Sequence, residues 1–158
     1  MKVAILTEPG KIELSDVPDP QLTKDTDVLL KLSAVGVCGS DIHYYRTGRI
    51  GDQIVQYPFI MGHECSAIVE RTGGAVTKVK PGDLVAVDPA ISCGQCDQCK
   101  LGRFHTCRTL KFLGSPGQLP GCLSEYIVMP QECCYPLKAG MTPEGGVLVE
   151  PLSIGIYA

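Results

Sequence analysis

Residues 28–41 read Val28-Leu29-Leu30-Lys31-Leu32-Ser33-Ala34-Val35-Gly36-Val37-Cys38-Gly39-Ser40-Asp41, a β-type apolar run from Val28 to Val37 that stops at a cysteine between small residues. Segments of the same kind recur on either side, at Val3–Leu6, Ile12–Leu14, Ser66–Arg71, Leu84–Val87 and Tyr126–Met129. Gly/Pro turn chemistry such as Lys80-Pro81-Gly82-Asp83 separates them. No strand–helix alternation precedes about residue 140, so the pattern predicts a mainly β fold, an antiparallel barrel or sandwich rather than a parallel sheet. Helix is expected in two places. Ser40 is placed to cap a short turn through Asp41–Tyr45, and Thr142-Pro143-Glu144 is a helix start with proline at the first helical position.

The composition fits one globular domain. At 158 residues and 44% hydrophobic content, the chain is long enough to build a core without an external staple. A net charge of −3 and the lack of any basic stretch argue against nucleic acid as a partner. The apolar run Val3–Leu6 is too short for a signal-peptide core, and no stretch reaches the roughly 18 apolar residues needed to span a bilayer, so a cytoplasmic protein without a membrane partner is expected. The nine cysteines are an odd number, which speaks against a complete disulfide framework and for metal ligation. No G-x-G-x-x-G follows a strand. Val147–Ala158 is apolar with one acid, Glu150, and reads as the start of a helix that docks on something further along, as in a fragment of a longer protein.

Cys93, Cys96, Cys99 and Cys107 form C-x-x-C-x-x-C-x(7)-C, with Gly94 and Gly102 supplying the turns that let four sulfurs converge. Thiolates at this spacing suit tetrahedral zinc, and an all-sulfur shell leaves no position for substrate, so a structural role is expected. Iron–sulfur ligation and a redox disulfide are the alternatives; the ferredoxin run has three residues before a final Cys-Pro, whereas seven precede Cys107-Arg108 here. His105 inside this lobe reads as a surface residue.

Two further features are weak when taken singly. Cys38 ends the Val28–Val37 run, and a lone cysteine there is more often packed than reactive. His63-Glu64 follows Gly62 just before another strand, and such a pair is more often structural than ligating. Taken with the cysteine lobe, however, Gly36-Val37-Cys38-Gly39-Ser40-Asp41-Ile42-His43-Tyr44-Tyr45 and Gly62-His63-Glu64 resemble the medium-chain zinc-dependent alcohol dehydrogenases. Gly48-Arg49-Ile50-Gly51-Asp52 and Val149-Glu150-Pro151-Leu152-Ser153 are similar to the sorbitol and xylitol dehydrogenase branch.

The resemblance implies a GroES-like catalytic domain over residues 1–146, with the zinc lobe at 93–107. Residues 147–158 would begin the connection to a nucleotide-binding Rossmann domain that this chain does not contain. It further implies one catalytic and one structural zinc, NAD or NADP in the complete enzyme, and a homo-oligomer. Cys38, His63 and Glu64 match the catalytic zinc ligands, and a thiolate, a neutral imidazole and a carboxylate together carry −2, which neutralises Zn²⁺. Glu150 matches an acid that approaches the same metal directly or through water. Direct ligation would make the site anionic, so a water-mediated or switching role is favoured. Ser40 matches a proton-relay hydroxyl, and Tyr44 a substrate contact that packing also explains. His43 reads as an exposed loop residue, and Cys65, Cys122, Cys133 and Cys134 as small packed hydrophobes. Asp88-Pro89 reads as a turn.

The expected function is the oxidation of a polyol or other secondary alcohol to a ketone by hydride transfer, with the 158-residue chain alone inactive. A threonine or butanediol dehydrogenase is the alternative within the family. A non-enzymatic zinc-binding fragment serving as an interaction module is the alternative outside it.

Overall fold

The computed structural model describes residues 1–158. In chain order the elements are β1 (Lys2–Glu8), β2 (Lys11–Asp16), β3 (Asp27–Val35), α1 (Gly39–Thr47), β4 (Arg49–Ile50), β5 (Gln53–Ile54), β6 (Cys65–Thr72), β7 (Leu84–Val87) and β8 (Ala90–Ile91). They continue with α2 (Asp97–Lys100), β9 (Lys111–Phe112), β10 (Tyr126–Pro130), β11 (Cys134–Pro136), α3 (Pro143–Val147) and α4 (Val149–Tyr157). Single 3₁₀ turns occupy Phe104–Thr106 and Gln131–Cys133.

The mainly β architecture expected from the strand spacing is present. Strands β10, β3, β6, β7 and β11 lie side by side in that order, and every ladder among them is antiparallel. The hairpin β1–β2 wraps back on the chain: Ala4 N–H donates to Leu123 O at 2.8 Å, while Leu6 and Phe59 exchange backbone bonds of 2.8 and 3.0 Å. Apolar residues at alternate positions fill the interior, including Val28, Leu30, Val69, Val85, Ile127 and Met129. A smaller cluster of Leu6, Tyr44, Val55, Phe59 and Met61 seats α1. Burial of a side chain of this size contributes about 1.5–3 kcal/mol, so these two clusters hold the frame.

Buried polar groups close the turns. Asp27 accepts from Thr23 N–H, Thr23 O–H and Lys24 N–H at 3.1, 2.9 and 2.9 Å, and Gln131 Oε1 accepts from Thr77 and Lys78 N–H at 2.8 and 3.1 Å.

Three expectations need correction. The run Val28–Val37 leaves the sheet at Val35. Helix is not confined to two places, since α2 sits inside the cysteine lobe and α4 forms a separate segment after α3. Ser40 is not an N-cap: Cys38, extended at φ −73° and ψ 156°, occupies that position, and Ser40 is the second residue of the helix. Asp41 decides this, because its carboxylate reaches back to accept from Cys38 N–H at 3.0 Å. Helix α1 runs on to Thr47 and stops at Gly48, which is left-handed at φ 68°.

Helix α3 starts as expected, with Thr142 Oγ1 accepting from Gly145 N–H at 3.1 Å. Ser66 Oγ donates to Pro143 O at 2.7 Å and ties this helix to β6. Val147 is buried and α4 begins beyond Leu148, with Leu152, Ile154, Ile156 and Tyr157 exposed. No helix is long and apolar enough to cross a membrane.

Candidate metal centres

Cys38, His63 and Glu64 meet because of strand register. Val35 at the end of β3 pairs with Cys65 at the start of β6, so in this antiparallel pair the residues just past one and just before the other emerge at the same edge. Gly36 N–H extends the ladder by donating to Glu64 O at 2.8 Å. The donor atoms of the three side chains all lie within 4.8 Å of one another. Sulfur, imidazole nitrogen and carboxylate oxygen form a donor set that suits zinc with a fourth position open. His63 is buried, and its ring meets Phe112 edge-on at 5.5 Å, which restricts how the imidazole can turn.

Asp41 holds the two ligand-bearing segments together. This buried carboxylate accepts from Cys38 N–H through Oδ2 at 3.0 Å and from Gly62 N–H through Oδ1 at 3.1 Å. One side chain therefore fixes both the start of α1 and the residue before His63. In Asp41→Asn, one of the two N–H donors faces an amide N–H₂ whichever way the side chain turns. A buried donor left unpaired costs about 1–3 kcal/mol, so thermal denaturation should show Tm lower by about 2–12 °C. An unchanged Tm would remove the bridge from this description.

The trio lies in a cavity of about 650 Å³ that also contains Ser40, Tyr44, Glu150, Gln53, Gln118 and Phe112. Ser40 makes no capping bond and lines this space. Tyr44 is buried, edge-on to Phe59 at 6.0 Å, and donates its hydroxyl to Gln53 Oε1 at 3.0 Å, so it packs and lines the cavity at once. Glu150, in the first turn of α4, lines the cavity without joining the mutually close trio. Burial pushes its carboxyl above the ordinary range; His63 pulls it back and Glu64 adds to the rise. His43 is exposed and outside the cavity. Sequence reasoning missed Asp41, Gln53, Phe112 and Gln118. Only Asp41 carried a signal, an acid three residues after Cys38 at a helix start.

The second centre is local in sequence. Cys93, Cys96, Cys99 and Cys107 have their sulfurs within 4.8 Å of one another, with Cys96–Cys99 at 3.5 Å and Cys93–Cys99 at 4.0 Å. A zinc–sulfur bond of about 2.3 Å implies tetrahedral edges of about 3.8 Å, so the sulfurs are already spaced for the ion. Gly94 and Gly102 are left-handed at φ 72° and 74°, the turns that this convergence requires. Backbone N–H groups of Gln95 and Cys96 pull the Cys93 thiol down to about 6, while burial pushes Cys99 up to about 11. Asp97 accepts from Arg108 Nε and Nη2 at 3.1 and 2.9 Å across the lobe, and this guanidinium holds its carboxyl well below the usual carboxylate range. His105 is exposed, its ring 6.4 Å from Tyr157. All nine cysteines are free thiols; Cys65, Cys122, Cys133 and Cys134 are buried, with burial pushing Cys133 and Cys134 up to about 12. Asp88 closes its turn by accepting from Ala90 N–H at 2.9 Å.

An antiparallel β domain thus carries a thiol/imidazole/carboxylate trio and a separate four-cysteine lobe. Residues 24–139 match the family model for the alcohol dehydrogenase GroES-like domain, and the chain belongs to that family. It is 41% identical over its whole length to a sorbitol dehydrogenase of Bacillus subtilis strain 168, covering 44% of that protein. It is 39% identical over 93% of its length to a D-xylulose reductase A of Aspergillus niger, covering 41% of that protein. In structure it is similar to galactitol-1-phosphate dehydrogenase from Escherichia coli, with TM-score 0.88 and 29% identity over 99% of this chain and 43% of that one. The chain thus spans less than half the length of these relatives.

Proposed function

We propose that this chain is the catalytic-domain part, residues 1–146 with a connecting segment at 147–158, of a cytoplasmic, homo-oligomeric, NAD- or NADP-linked zinc dehydrogenase. It would oxidise a secondary hydroxyl of a polyol such as sorbitol or xylitol to the ketone. The observation that carries the reading is the convergence of Cys38, His63 and Glu64 in a cavity whose other walls bear hydroxyl and carboxamide groups.

Cys38, His63 and Glu64 would hold the catalytic zinc; the four cysteines Cys93, Cys96, Cys99 and Cys107 would hold the structural one. When bound, the first ion would supply Lewis-acid polarisation of an alcohol or carbonyl oxygen. The protein's own groups prepare the rest. Phe112 fixes the His63 ring, Asp41 fixes the spacing of the ligand segments, and Ser40 offers a hydroxyl that accepts the substrate proton and passes it outward. Glu150 stands by as a carboxyl whose desolvated setting favours the neutral form, suited to a water-mediated or switching part. The names of the sorbitol dehydrogenase and xylulose reductase relatives support a polyol over threonine or butanediol.

A substrate panel on the full-length gene product tests this: NAD(P)-linked oxidation of sorbitol or xylitol is expected. Oxidation of threonine or 2,3-butanediol with none of either polyol would reject the polyol assignment. Because no dinucleotide fingerprint follows a strand, residues 1–158 alone are expected to show no NAD-linked turnover.

A further inference from the structure

Two carboxamides in the cavity are held by their oxygens and have their nitrogens free. Phe112 N–H donates to Gln118 Oε1 at 2.7 Å. A backbone N–H can only donate, so this contact settles which end of the amide is oxygen, and both N–H groups of Gln118 are left without a protein partner. The loop that carries it is braced by bridges from Leu113 and Ser115 to Leu119. Gln53 is engaged in a similar way: the Tyr44 hydroxyl donates to Gln53 Oε1 at 3.0 Å, and the Gln53 nitrogen has no protein partner. Both residues line the cavity that holds Cys38, His63 and Glu64.

We propose that Gln118, with Gln53 as a second donor, is a specificity-determining residue that selects a polyhydroxylated substrate. Its fixed carboxamide N–H groups donate to hydroxyls on carbons other than the one oxidised. The inference rests on the dehydrogenase reading above and narrows its substrate class. A polyol has an acceptor oxygen on each carbon and can satisfy these donors. Both glutamines are exposed, so a simple secondary alcohol, which presents hydrocarbon there, offers these hydrated donors no replacement for the water it displaces, and the pocket discriminates by hydrogen bonding. The oxygens being tied down matters, because donors already oriented lose little freedom when substrate binds.

The test compares kcat/KM for xylitol and for 2-pentanol in the full-length enzyme and its Gln118→Leu variant. The xylitol value should fall about tenfold, mainly through KM, with the 2-pentanol value changed less than twofold. Equal losses on both substrates would show that Gln118 only braces Phe112 against His63, and an unchanged xylitol value would also overturn the proposal. A second readout needs no turnover: in the zinc-loaded 158-residue chain, the Gln118 side-chain amide resonance should shift with xylitol and not with 2-pentanol. If the full-length enzyme oxidises neither alcohol, the dehydrogenase reading fails, while a xylitol-specific shift would still uphold recognition by Gln118 and its absence would reject it.

Discussion

Cys96→Ser is expected to release about one zinc per chain and to open residues 93–107 to protease, with the five-stranded sheet still protected. The reason is the small amount of apolar burial in the lobe. Cys99 and Cys107 are its buried residues, whereas Leu101 and Phe104 are 66% and 55% exposed, so no core survives removal of the ion. The Asp97–Arg108 pair is exposed and contributes little by itself. Structural zinc, in contrast, contributes about 10–16 kcal/mol apparent in small peptides at neutral pH. Limited proteolysis with mass mapping reads the outcome. A variant with a protected lobe would show that the polypeptide, not the metal, holds it.

Gly36→Ala should weaken metal binding at the other centre and spare the lobe. A Cβ at Gly36 would collide with Glu64 Oε2 and come within 2.9 Å of Val147 Cγ1 and 3.1 Å of Glu64 Cβ. The Val147 side chain belongs to a packed helix and gives way poorly, so the Glu64 carboxylate is the group that moves. Displacing a ligand in this way should lower metal affinity at Cys38, His63 and Glu64 about 10–100-fold. Crowding would also destabilise the fold by about 1–3 kcal/mol. Competition with a chelator measures the first effect and thermal denaturation the second. Unchanged affinity would mean that the carboxylate position does not matter to the site.

The strands were legible because alternating apolar residues and Gly/Pro turns are local signals, and the cysteine lobe because its four sulfurs lie within fifteen residues. The trio was different. Cys38 and His63-Glu64 are brought together by the Val35–Cys65 register, which no local pattern encodes, so only the family resemblance pointed to them. Ser40 was misread as a cap because serine is a better general N-cap than cysteine, and the reach of Asp41 to Cys38 N–H outweighs that preference. Helix α2 is four residues long, too short to show a helical period. Gln53, Phe112 and Gln118 have ordinary sequence surroundings; their roles arise from the cavity wall they share with His63.

Metal content per chain, measured in the native protein and in His63→Ala and Cys96→Ser, addresses the central claim most directly. Two zinc ions are expected in the native chain, one in each single variant and none when the two are combined. One zinc in the native chain, still there in His63→Ala and lost only in Cys96→Ser, would contradict a shared ion at Cys38, His63 and Glu64.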